Sequence, residues 1–248
     1  MSPLSNPHGQ PIGAPLPDWK PARLPPRAPL EGRWCRLEPV EPDRHASDLF
    51  EAVSEDRSGA SFTYMGYEPF ATEGDYRAWM AATCLGDDPR FFAIVDRASG
   101  RAVGVASLLR IDPRVGTIEV GHIHYSPRLQ RTRQAAEAMF LLMRLVFRDL
   151  GYRRYEWKCD ALNEPSRHAA VRYGFTFEGI FRQATIYKGR NRDTAWFAMI
   201  DREWPALEAA YAQWLDPSNF DDQGKQRRKL GELTALALAE ARARDAAG

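Results

Sequence analysis

Two stretches of this 248-residue sequence hold side chains suited to proton transfer and to anion binding. In IEVGHIHYSPRLQRTRQAAEA, residues 118–138, Glu119, His122 and His124 lie close together on one β-rich run. A carboxylate or an imidazole there is a candidate general base. In a regular strand Glu119, Gly121, Ile123 and Tyr125 share one face, and His122 and His124 point to the other. The i, i+2 spacing of the histidines suits two metal ligands, but no third ligand is placed by spacing, so no metal is expected. Downstream, Gln130, Arg131, Thr132, Arg133, Gln134 and Ala135 open a long helix. The unpaired N–H groups at a helix N-terminus suit an anion, and Arg131 and Arg133 would add charge-assisted contacts. The second stretch, NEPSRHAAVRYG, starts another helix at Asn163, with Ser166 in its first turn, Arg167 next and Gly174 as its stop.

The elements that must position these residues are legible from periodicity. RWCRLEPV is a strand, and EPDRHASDLFEAV and TEGDYRAWMAATCL are two helices, the second with Tyr76, Trp79, Met80 and Thr83 on one face. FFAIVD, AVGVASLLRID and TIEVGHIHYS form a three-stranded antiparallel meander. The helix through Ala135, Met139, Leu142, Met143, Val146 and Leu150 ends at Gly151, followed by the strand RRYEWKCDA, the helix from Asn163, and a long hairpin turning at residues 188–191. This strand, helix, strand order implies a crossover onto a parallel strand in an otherwise antiparallel sheet. Nine of the 18 prolines fall in the first 30 residues, so residues 1–31 form an extended proline-rich arm. Residues 32–204 make the main domain and 205–248 a C-terminal helical extension ending in a peripheral helix.

Composition removes several classes of function. Basic residues number 34 and acidic 33, for a formal charge of +1, so no net field recruits nucleic acid or an anionic membrane. The short basic runs at 188–192 and 225–229 read as solvated turns. No signal segment or membrane span is expected, and the G-x-x-x-x-G-K-[ST] phosphate loop is absent. Cys35, Cys84 and Cys159 are odd in number and form no C-x-x-C pair, so they read as reduced thiols of a cytoplasmic protein.

The order of elements resembles the GNAT family of acetyl-CoA-dependent N-acetyltransferases over roughly residues 33–204. Glu119, Gly121, Pro127, Gln130 and Glu137 fall where the branch resembling the ribosomal-protein N-terminal acetyltransferases shows its Glu, Gly, Pro, loop-opening Gln or Arg, and helix Glu. NEPSRHAAVRYGF is similar to that branch's Asn-x-x-Ser followed by Gly-Phe. The resemblance implies an α+β or α/β fold class: a mixed, mostly antiparallel twisted sheet with helices on both faces. It implies acetyl-CoA as co-substrate and a direct attack by a primary amine on its thioester in a ternary complex. The loop departs from the family's Gln/Arg-x-x-Gly-x-Gly/Ala pattern, with Arg133 at the first glycine and Ala135 at the last position, which is tolerable if φ at residue 133 is negative.

A free alkylamine has a pKa of about 10.4, so a base or a water chain must take its proton. The family typically bulges the strand at 119–125, which changes which side chains share a face, so Glu119 and the histidines both stay open as bases. Backbone N–H groups at His124 and Tyr125 would serve the oxyanion and pantetheine. Many members use a tyrosine four residues before the closing glycine as general acid; Ala170 stands there, which leaves Ser166 or water. Asn163 and Arg167 would hold the pantetheine amide and a phosphate. The acceptor is expected between the first two helices and the last hairpin, walled by Phe62, Tyr64, Tyr67, Phe70, Phe181, Gln183 and Tyr187, with Glu68, Asp160 and Glu178 attracting a cationic amine. The acceptor is a small molecule, an amino acid or a protein N-terminus. The proline-rich arm and the last helix are candidate partner surfaces, including for a homodimer. A different class also stands: a non-catalytic acyl-CoA-binding regulator or scaffold.

Overall fold

The β-rich runs assemble into one eight-stranded sheet in the computed structural model, which describes residues 4–247. Its strands are β3 (Leu30–Glu31), β4 (Cys35–Pro39), β5 (Arg90–Asp96), β6 (Ala102–Asp112), β7 (Thr117–Tyr125), β8 (Arg154–Asp160), β9 (Thr176–Tyr187) and β10 (Arg190–Ile200), in the order β3-β4-β5-β6-β7-β8-β10-β9. Only β7 and β8 run parallel; every other neighbouring pair is antiparallel. The α3 crossover requires that parallel pair.

Helices cover both faces, as the resemblance implies. On one face α3 (Arg133–Arg144) and α5 (Trp204–Trp214) bury Met139, Leu142, Leu207 and Tyr211 against Ile118, Val120, Tyr155 and Phe197. On the other, α1 (Pro42–Ser54) and α2 (Glu73–Thr83) bury Leu49, Tyr76 and Met80 against Phe91, Ala93 and Val105. Thr72 and Asp75 close a reciprocal capping box at the start of α2. The helix expected to run to Leu150 is α-helical to Arg144, then widens into a π turn over Leu145–Asp149 before Gly151 at φ 80°. The short α4 (Glu164–Arg172) follows β8, and α6 (Leu230–Ala247) lies against α4 and α5, burying Leu230, Leu233 and Thr234.

The proline-rich arm is laid along the domain and is not uniformly extended. It holds a two-residue hairpin of β1 (Leu4–Ser5) with β2 (Pro11–Ile12), and its last residues, β3, join the sheet edge. Between them Trp19 Nε1 donates to Arg114 O at 2.9 Å and Ala22 N to Pro113 O at 2.9 Å. Gly116 sits beneath Trp19 at φ 72°, where a Cβ would stand 2.4 Å from the indole. Gly116→Ala combines a left-handed backbone with that overlap, so it is expected to cost about 1 to 3 kcal/mol. A lowered thermal midpoint, together with faster tryptic cleavage after Arg23, would register the arm's release.

Candidate active site

Pairing between β7 and β8 runs from Thr117↔Arg154 to Val120↔Trp157 and then stops. Beyond it the two parallel strands part, β7 continuing through Gly121–Tyr125 and β8 through Lys158–Asp160. A parted parallel pair frees backbone N–H and C=O groups that an extended amide-bearing chain can use. The N-terminus of α3 stands over the same end.

The face question on β7 is settled by a bulge. Val105 pairs with His124 and Ser107 with Gly121, so Ala106 on β6 opposes two residues, His122 and Ile123. His122 absorbs the extra residue at φ 47°. Glu119, His122 and His124 consequently share the face toward α1 and α2, while Ile118, Val120, Ile123 and Tyr125 pack into the α3 side. The alternation expected of a regular strand fails for this reason.

The three proton-transfer candidates differ sharply in environment. Glu119 is 4% exposed and lies between two cations, with Oε1 2.8 Å from Arg110 Nη1 and Oε2 2.8 Å from Lys158 Nζ. Lys158 also meets Glu156 at 2.8 Å, and Arg154 links Glu156 to Glu178, so Glu119 belongs to a charge ladder crossing the sheet. His122 Nδ1 lies 2.8 Å from Ser107 Oγ, which is also 3.1 Å from Gly121 O. His124 is 3% exposed, edge-on to Phe62 at 4.5 Å, with Nε2 3.1 Å from Ser61 Oγ and a buried, unpartnered Nδ1. Burial pushes its pKa down to about 4, against a smaller upward pull from Asp56.

That depression has a consequence for stability. The unfolded chain takes up a proton on this ring near pH 6.5 and the folded chain near pH 4, so stability is full above 6.5 and declines as pH falls toward 4. The loss across that window is about 3 kcal/mol at 1.36 kcal/mol per unit. Burial lowers His122 in the same direction. The carboxylates Glu51 and Asp56, held near 2 by hydrogen bonds, lose their contribution only below their usual range. A urea titration from pH 7 to 4.5 is expected to show falling stability, and His124→Gln to flatten most of that slope.

The anion cradle is rearranged relative to the sequence expectation. Arg133 is the first residue of α3 and the left-handed position is Arg131, at φ 61°. The Arg133 guanidinium lies 4.9 Å over the Trp34 ring and 5.8 Å from that of Phe220, so it packs on aromatic rings. Arg131 is exposed and pairs with no acidic group among the described residues. Thr132 caps α3, accepting from Ala135 N at 3.2 Å, and Gln130 Nε2 braces the loop on Tyr125 O at 2.8 Å. Gln134 reaches back to Asp96 at 3.1 Å.

On the β8 side, Asn163 caps α4 by accepting from Ser166 N, and Ser166 Oγ accepts from Trp157 Nε1 at 3.1 Å. Arg167 donates to Ala161 O at 3.2 Å. Ala170 is fully buried, and Tyr173 is buried with its phenol pKa raised by desolvation. The expected acceptor walls partly assemble. Tyr64 donates to Leu162 O at 3.0 Å, Tyr187 donates to buried Asp160 at 2.9 Å, and Lys188 reaches Phe62 O at 2.8 Å and Glu68 at 3.2 Å. Tyr67 packs at a tilt against Trp79 and Phe70, and its phenol oxygen is buried without a hydrogen-bond partner. Glu178 is separated from this group. Register puts it at the far end of the sheet, bidentate with Arg154 at 2.9 and 2.6 Å.

Residues missed by sequence reasoning are Ser61 and Asp56, on the segment joining α1 to α2, and Lys158. Among the described residues no three acidic, histidine or cysteine side chains form a metal-sized cluster, and no helix is long and apolar enough to cross a membrane.

Known proteins sharpen this picture. Residues 35–176 match the model of the acetyltransferase (GNAT) domain. A solved GCN5-related N-acetyltransferase from Brucella melitensis is 49% identical, covering 89% of this chain and 100% of that one, at a TM-score of 0.87. A probable acetyltransferase of the GNAT family from Chromobacterium violaceum is 39% identical over 79% of this chain and 98% of its own, at 0.73. A candidate ribosomal-protein-serine acetyltransferase from Vibrio cholerae, 20% identical over 69% of this chain and 97% of its own at 0.60, shares the fold. No curated protein matches the chain.

Proposed function

The chain belongs to the GNAT acetyltransferase family, whose acyl donor is acetyl-CoA, and from that premise we propose that it transfers the acetyl group to a primary amine by direct attack in a ternary complex. The observation that carries this reading is the neutral, buried His124 at the end of β7, where that strand has parted from β8. The pantetheine arm enters the gap between the strands, and the pyrophosphate sits at the start of α3 under Arg131 and the N–H groups of that turn. Asn163 and Arg167 border the arm from the α4 side. The backbone N–H of Tyr125 points into that gap, since the next N–H, of Ser126, donates to Val103 O on the β6 side, and it receives the developing oxyanion.

The attacking amine binds as the free base. Its nitrogen becomes acidic as the N–C bond forms, so a weak base is adequate, and His124 takes that proton while the C–S bond breaks. The proton returns to the thiolate through Ser166 or water, giving the N-acetylated amine and CoA. Glu119, committed to Arg110 and Lys158, holds the charge of the sheet face and does not take the proton. The acceptor enters beside Tyr64, Asp160 and Tyr187 and is a small amine, an amino acid or a peptide N-terminus. The ribosomal-protein branch belongs to the same reading, as does a cytoplasmic setting.

Release of CoA thiol with a panel of polyamines, amino acids and short peptides tests the proposal. Acetyl-CoA binding with no release from any amine would favour the non-catalytic acyl-CoA-binding reading instead. Arg131→Ala, which removes an exposed cation and no internal contact, is expected to raise the acetyl-CoA Kd about tenfold with kcat little changed, as suits one charge-assisted bond of about 1.5 to 3 kcal/mol that is partly screened by solvent. Calorimetric titration of the variant would measure it.

A further inference from the structure

The basic run at residues 188–192 is not the solvated turn that its composition suggests. It closes the β9–β10 hairpin, and that hairpin reaches the acceptor's surroundings: Lys188 Nζ donates to Phe62 O at 2.8 Å, and the Tyr187 hydroxyl donates to Asp160 at 2.9 Å. Arg192 follows on β10. Thr194 pairs with Asp160, and Asp193 O accepts from Ala161 N at 2.8 Å, so Arg192 stands beside the end of β8, past the point where the parallel strands part. Alternation puts Arg192 on the face of Thr194 and its partner Asp160. That is also the face on which Lys158 meets Glu119. The Arg192 guanidinium lies 5.8 Å from the Tyr187 ring.

This cation is unmatched. Arg110 and Lys158 are met by Glu119, Arg154 by Glu156 and Glu178, and Lys188 by Glu68, whereas Arg192 pairs with no carboxylate among the described residues. The side chain is half-buried, and its Nε is out of solvent with no acceptor, so the guanidinium is held against the protein. Nη1 and Nη2 stay accessible and make no hydrogen bond among the described residues. A planar fork of that kind is shaped to take a carboxylate through two parallel N–H···O bonds. We infer that Arg192 is a specificity-determining residue for the acceptor, its Nη fork receiving a carboxylate carried by the same molecule as the amine. The acceptor is then an amino acid or an acidic peptide, and not a plain alkylamine or polyamine. The inference deepens the proposed transfer reaction and rests on it for the word acceptor; the carboxylate subsite itself does not. Neighbouring strands lie about 4.8 Å apart, and β8 stands between β10 and β7, which carries His124. Amine and carboxylate are therefore separated by several bonds, and the fit improves from glycine to a longer chain.

Matched pairs that differ only in carboxylate against amide test it: glycine and glycinamide, ε-aminocaproate and its amide, and alanyl-aspartate and alanyl-asparagine with amidated C-termini. Thiol release from acetyl-CoA by the full chain is expected to favour the carboxylate member of at least one longer pair by about 10- to 100-fold in kcat/KM, as suits a charge-assisted fork. Which longer pair responds distinguishes an amino acid from a peptide. Arg192→Gln should lower kcat/KM for the carboxylate member by about that factor and bring the ratio close to one. Arg192→Lys, a point charge without the fork, should keep only part of the preference, and it decides the matter should the glutamine variant fail to fold. Calorimetric titration of the CoA-loaded chain with the same pairs reads the subsite without turnover. Carboxylate-dependent binding that Arg192→Gln abolishes, with no release from any amine, would sink the transfer reading and uphold the subsite. A wild type that separates the members of no pair, in release or in binding, would overturn the inference, as would a folded Arg192 variant that keeps the full preference.

Discussion

Replacing His124 with glutamine is expected to lower kcat by about 10²- to 10⁴-fold, the usual contribution of a positioned base, while acetyl-CoA binding stays near the wild-type value. The argument is one of environment. A base that works on an amine already bonding to carbon needs a vacant lone pair and a neutral resting state at neutral pH. His124 has both: burial keeps it uncharged down to about pH 4, and a neutral imidazole holds a lone pair on one of its two nitrogens. Glu119 has a charge, but each of its oxygens is 2.8 Å from a cation. Glu119→Gln should therefore cost less than tenfold in kcat and show its main effect in stability, because it leaves Lys158 with only Glu156. The ordering of the two variants, measured by thiol release under saturating acetyl-CoA, decides between them. A larger loss in Glu119→Gln than in His124→Gln would return the base to the carboxylate.

Much of the frame behind that comparison was legible in the residues. The meander, the crossover helix and the final hairpin follow from period-2 and period-3.6 patterns, and the parallel pair follows from the crossover. The bulge at His122 does not, because it lies in the pairing of β6 with β7 and histidine is no standard marker of a positive φ. Its effect is large: it moves His122 and His124 onto the face of Glu119, which regular alternation forbids. The charge of the helix-opening loop was legible, but its use was not. Arg131 takes the left-handed position, and Arg133 is drawn onto Trp34 and Phe220, two rings that come together only after the chain has closed. Glu178 looks like a partner of Asp160 by residue type, yet strand register carries it to Arg154. Asp56 and Ser61 carry no signal in sequence at all, since small polar residues in a loop between helices are the ordinary solvated case.

Glu137 gives the largest stability effect expected in the chain, and its role is not chemical. It matches the helix glutamate of the family pattern, but its carboxylate faces away from the parted strands, into the start of β4. Oε1 accepts from Arg33 N at 2.6 Å, and Oε2 from Trp34 N at 2.7 Å and Cys35 N at 2.8 Å. Gly32 completes the cradle, where a Cβ would lie 2.6 Å from the Glu137 carboxyl carbon. Three successive backbone donors thus converge on one 4%-exposed side chain, tying α3 to the edge of the sheet. Each such donor left unmatched in the interior costs about 1 to 3 kcal/mol. Glu137→Ala is expected to lose about 3 to 5 kcal/mol in total, since the loop relaxes and recovers part of the cost. At about 2 to 4 °C per kcal/mol for a domain of this size, the thermal midpoint should fall by about 10 °C or more. Glu137→Gln should lose somewhat less, because its one remaining oxygen still accepts while its amide turns donors against donors. The Cys35 thiol supplies an independent readout. Burial, and after it the Glu137 charge, pushes its pKa up, so the thiol is unreactive in the intact protein. Losing that charge together with the strand's anchor should speed the reaction of Cys35 with a disulfide reagent under native conditions. A variant with an unchanged midpoint and an unchanged rate of Cys35 labelling would show that the three N–H groups find other partners, and that the glutamate is dispensable to the fold.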